Sequence, residues 1–159
     1  MDAVAIHVYG QRAFDAALDA LPTAAWSTPG VCGSWSAKDV AAHIASYEIV
    51  LADLLEAFGQ ELPTPELDRF LALGPSFNDD EVARRAELSI ADVRGELARA
   101  CERSVAALAA IPADERARPG TIPWYGAEYA LDDLLVYMGY GHKREHAAQV
   151  AVACDRLRA

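Results

Sequence analysis

The sequence predicts an all-α fold, a four-helix bundle with two long crossover loops. Three observations predict it. Apolar residues recur three and four apart through long windows, the spacing of one helix face. Capping and stop signals bracket those windows. Every candidate strand is shorter than five residues. With 159 residues, 53% of them apolar, the chain is long enough for one domain with its own core, taken as residues 1–159.

The first helix is expected over about residues 3–21, with Ile6, Phe14, Leu18 and Leu21 on one face and Pro22 as its stop. A Gly-, Ser- and Pro-rich linker follows. Ser36 and Asp39 then form a capping box, and Trp35 with Val40 a hydrophobic staple. The second helix carries Val40, His43, Ile44, Tyr47, Val50, Leu51, Leu54 and Phe58 on one stripe, up to Gly59. Residues 60–78 hold three prolines and read as a loop with one short turn. Asn78 with Glu81 starts a short helix; Ser89 with Asp92 starts a long one, stopped by Pro112. After a second connection over 112–127, the last helix is expected from about Glu128 to Leu157.

A net charge of −10, with no basic run longer than Arg84-Arg85 or Lys143-Arg144, excludes nucleic acid as a partner. No stretch approaches the roughly 20 apolar residues of a membrane span. Charges at Asp2, Arg12, Asp15 and Asp19 exclude a signal peptide, so a cytoplasmic protein is expected. Cys32, Cys101 and Cys154 form no paired motif and read as reduced thiols.

Two of the four histidines, His142 and His146, stand four apart in the last helix. On a helical wheel they share a stripe with Leu131, Leu135, Met138, Gln149 and Ala153, while Lys143 and Arg144 point elsewhere. His43 lies on the apolar face of the second helix. Burying three imidazoles is costly unless each is hydrogen-bonded or liganded. One reading is a shared divalent ion, Zn²⁺, Ni²⁺, Fe²⁺ or Mn²⁺, with an open position for a water or a substrate. The other is ordinary hydrogen bonding at a helix end. His7 reads as structural or exposed.

The stretch GSWSAKDVAAHIASYE resembles the helix-two signature of the DinB-like (DinB/YfiT) superfamily, and GHKREHAAQV resembles its C-terminal HxxxH helix. FNDDEVARRAELSIADVRGEL is similar to a segment of the ClbS/DfsB branch. The resemblance spans nearly the whole chain. It implies a four-helix bundle that forms homodimers and binds a divalent metal through His43, His142 and His146. It also implies a small-molecule substrate. The activities it brings are S-transfer or isomerisation with a low-molecular-weight thiol such as mycothiol or bacillithiol, and hydrolysis.

No catalytic side chain is assigned; the nucleophile is expected to be a water or a thiol at the ion. Tyr47, one turn after His43, either donates to a ligand of the ion or packs. Glu145, three residues after His142, either orients a histidine or pairs at the surface. Glu48 lies roughly 100–150° round its helix from the site face. Trp124, Tyr125 and Tyr129 form either a substrate pocket wall or a plug at the bundle end. Cys101 has no base beside it and is no nucleophile candidate. Three functions follow: a metal-dependent transferase or hydrolase; a metal-independent self-resistance or small-molecule binding protein of the ClbS/DfsB type; or a structural dimer module with vestigial histidines.

Overall fold

The computed structural model describes residues 2–158 and is helical throughout its framework, with no strand among them. Helix α1 (Ala3–Asp19) is capped by Asp2, whose carboxylate accepts from the Ala5 amide. Helix α2 (Ala37–Glu56) opens on the predicted box: the Ser36 hydroxyl accepts from the Asp39 amide, and Asp39 accepts from the Ser36 amide. Trp35 and Val40 meet in the same apolar cluster, as a staple should.

The 60–78 segment departs from expectation, because Pro65–Leu73 is a nine-residue helix, α3. Its proline sits in the first turn, where the missing amide costs nothing. Its cap comes from far away: Asp53 of α2 accepts from the Glu66 amide at 2.8 Å. Helix α4 (Phe77–Arg84) begins one residue before Asn78, which is not its cap; the Asn78 side chain instead accepts from the Tyr47 hydroxyl at 3.0 Å. Helix α5 (Ile90–Ala110) has the predicted Ser89–Asp92 box, and α6 (Ala113–Arg116) is a single turn in the second connection.

The last helical stretch starts at Leu131, later than expected, where Asp133 accepts from the Ala130 amide. It comprises α7 (Leu131–Leu134), a π-helical segment (Leu135–His142) and α8 (Lys143–Arg156). A π turn carries about one more residue than an α turn. The buried face records the difference. Leu131, Leu135 and Met138 lead at α pitch to the stripe read from the sequence, His142, His146 and Gln149, whereas the buried positions of α8 are Lys143, His146, Val150 and Cys154. The downstream face is displaced by one residue.

Helix α2 packs along α5, and α1 packs along the π segment and α8, which closes the bundle. Helices α3 and α4 lie against the outside of α2 through Leu67, Phe77 and Val50. The main core is in two halves. Phe14, Leu18, Val40, Ile44, Leu97 and Val150 belong to one; Ala3, Leu51, Leu108, Leu131 and Met138 to the other. On all four long elements a polar residue lies between the halves: His7, Glu48, Ser104 and Lys143, each no more than 2% exposed. Above this layer α1 crosses the π segment at Gly10 and Gly139. A Cβ on Gly139 would stand 2.2 Å from His7 Nδ1, so only glycine fits.

Candidate metal centre

Helix α2 and the last helix bring the three predicted histidines together. His43 Nε2 lies 2.9 Å from His142 Nε2, and His146 Nε2 lies 3.1 Å from the same atom. His43 and His146 are buried and His142 is partly exposed. Gln149, one turn beyond His146, fixes its tautomer. Gln149 Oε1 can only accept, so His146 Nδ1, 2.8 Å away, carries the proton and donates. The His146 Nε2 lone pair therefore faces the other two rings.

The trio is neutral at neutral pH. His43 is lowered to about 3, first by burial and then by His142 and His146. His142 is lowered to about 3 by burial, His146 and Lys143. His146 is lowered by burial, with Gln149 and Glu145 acting against it. Two donors each about 2.0–2.1 Å from a common ion lie about 2.9–3.4 Å apart. Neutral imidazoles converging at that spacing fit a first-row divalent ion, and the donor set alone does not choose among them.

Glu145 takes no part in orienting the histidines. It is exposed and borders a surface groove of about 730 Å³ with Arg144, Gln149 and Val31. The side chain that holds a histidine ring is Gln149 instead. Tyr47 packs against both His43 and His142, with ring centroids 4.8 Å from each. Burial raises its pKa, with Tyr137 adding to the effect, so the phenol keeps its proton. Trp35 also packs against His43, with ring centroids 5.0 Å apart. From Tyr47 a chain of edge contacts runs through Phe70 to Trp124, Tyr125 and Tyr129. Trp124 and Tyr125 pack on the second core half, while Tyr129 is exposed.

A second group, His7, Glu48 and Cys101, also gathers ligand-type atoms within 4.8 Å. Its cation is already present, because Lys143 Nζ lies 2.6 Å from Glu48 Oε2. His7 Nε2 is 3.2 Å from Glu48 Oε1, and the Ser104 hydroxyl donates to the same oxygen. Burial works to raise the Glu48 pKa, but the Lys143 ammonium and His7 outweigh it and hold the carboxyl well below the usual range. Cys101 beside it is pushed up to about 11, by burial and then by Glu48, and is a poor nucleophile.

The fold and the paired helices carrying the trio now have a counterpart. The family model of the DinB superfamily matches residues 8–150. The chain belongs to the DinB superfamily. Neither a curated protein nor a solved structure matches it. The matched span holds all three histidines of this DinB-superfamily chain, together with Gln149 and the Glu48–Lys143 pair. Gln149 had a signal in the sequence, since it shares the histidine stripe. Lys143 and Glu48 had none, because a charged residue off the predicted face reads as a surface residue.

Proposed function

We propose that this member of the DinB superfamily is a divalent-metal-dependent enzyme acting on a small electrophilic molecule. Transfer of a low-molecular-weight thiol of the mycothiol or bacillithiol type is the leading reaction, and hydrolysis the second. The observation that carries the reading is the convergence of three neutral imidazole nitrogens from two helices, 2.9 and 3.1 Å apart. His43, His142 and His146 would hold the ion. A bound divalent ion supplies Lewis acidity to a water or a thiol.

The remaining roles fall to the chain itself. Gln149 keeps His146 in the tautomer that offers Nε2. Trp35 and Tyr47 pack against the His43 ring and help keep bulk water from it. Tyr47, with Trp124, Tyr125 and Tyr129 beyond Phe70, is the proposed wall for the substrate. The same reading carries a homodimer.

The test is elemental analysis of tag-free protein after dialysis and re-addition of Zn²⁺, Ni²⁺, Mn²⁺ or Fe²⁺. About one ion per chain is expected, lost in His142→Ala with the helical circular dichroism intact. A His142→Ala protein that keeps both ion and activity would sink the reading.

A further inference from the structure

The proposed function assigns no part to a costly feature of the molecule, an ion pair in its core. Lys143 lies between two of the site histidines in sequence and is 1% exposed, at the centre of the bundle. Its partner Glu48 lies on α2, five residues after His43, and is 2% exposed. Removing both charges from water costs more than such pairs usually return, and apolar replacements of buried pairs are often as stable or more so. Stability is therefore a poor account of the pair. Geometry gives a better one.

Glu48 is the point where α1, α2, α5 and the last helix meet, through His7, Ser104 and Lys143. An apolar face tolerates rotation and sliding; an ammonium 2.6 Å from a carboxylate does not. The rotation of α8 in this structure is one that brings Nζ to Oε2. At that rotation the helix upstream carries one residue too many for α pitch, and the surplus is taken up in Leu135–His142. Relaxation of that segment to α pitch would turn α8 by about 100° relative to Leu131–Leu134. His142 and His146 would then turn away from His43.

We propose that the buried Lys143–Glu48 pair is a positioning device for the histidine trio: it selects the rotation of the last helix, stored in the π segment, at which His142 and His146 face His43. As far as it concerns metal, the proposal rests on the reading of the site given above. Its structural content does not.

Three proteins test it: the wild type, the double variant Glu48→Gln/Lys143→Met, and that double variant with Gly141 deleted. Each is titrated with Co²⁺ and followed by its visible ligand-field spectrum, with thermal unfolding of the metal-free protein alongside. The double variant is expected to fold, to bind Co²⁺ about 10–100-fold more weakly, and to show an altered spectrum. Deleting Gly141 removes the surplus residue, so α pitch alone restores the rotation; binding and spectrum should return. A folded double variant with wild-type affinity and spectrum would overturn the proposal. So would a double variant that does not fold, which would make the pair a stabilising element. If the wild type binds no Co²⁺, the metal reading fails separately. A crystal structure of the metal-free double variant then decides: loss of the π segment is expected, and an unchanged segment with the 2.9 and 3.1 Å contacts kept overturns the proposal.

Discussion

At the scale of single residues, the site depends on which nitrogen of each imidazole carries its proton. Gln149→Leu removes the acceptor that holds His146 in its tautomer. It should lower metal affinity about 10–100-fold, read by competition with a chromophoric chelator, with little change in unfolding temperature. The trio also sets an acid limit. The folded pKa values of His43 and His142 are depressed to about 3, below the ordinary 6.5 of an unfolded chain. The unfolded state therefore takes up more protons as pH falls. The stabilisation is complete above about pH 6.5 and is lost progressively towards pH 3. Thermal melts of metal-free protein should fall over that window, and His43→Phe/His142→Phe should flatten the fall. The three histidines were legible because their spacing and apolar faces agreed. Glu145, named for its spacing of three after His142, is exposed, and the residue that meets a histidine ring is Gln149.

At the scale of elements, the caps were written locally and the exceptions were not. Ser36→Ala removes the oxygen that accepts from the Asp39 amide and should cost about 1 kcal/mol in denaturant unfolding. Helix α3 was read only as one short turn because the side chain that accepts from its first turn is Asp53, thirteen positions from the amide it serves. The π segment was invisible for a different reason: on the proposal above, its pitch answers to the layer of His7, Glu48, Ser104 and Lys143, which lies far from it in sequence. Two substitutions distinguish space from pitch there. Gly139→Ala places a methyl against the His7 ring and should destabilise by at least about 2 kcal/mol, measured by urea unfolding. Deleting Gly141 from the otherwise wild-type chain should be tolerated, with helix content and metal binding kept, since it removes the surplus residue and a poor helix former together. A deletion inside a helix normally breaks its packing, so an unfolded product would refute this account of the segment.

At the scale of the whole molecule, the bundle class was legible from periodicity and stop signals, because those report burial. Ion pairing across the fold was not. Glu81 is fully buried and accepts from Arg69, Arg84 and Arg85 at 2.7, 2.6 and 2.6 Å, while Arg85 also reaches Glu96 of α5. This knot ties α3 and α4 to α5 and so holds Phe70, Phe77 and Asn78 beside Tyr47. Glu81→Gln leaves Arg85 paired with Glu96 but weakens three charged hydrogen bonds at a buried acceptor, and should cost about 2 kcal/mol, read from the urea midpoint. The layer between the two core halves has a further consequence, for the order in which the protein is made. Glu48 is synthesised nearly a hundred residues before Lys143. Until that lysine emerges, the side of Glu48 that faces the last helix stays open to water, and the carboxylate gives up that water only when the helix docks. The same helix thus brings both the cover that removes the water and the ammonium that replaces it.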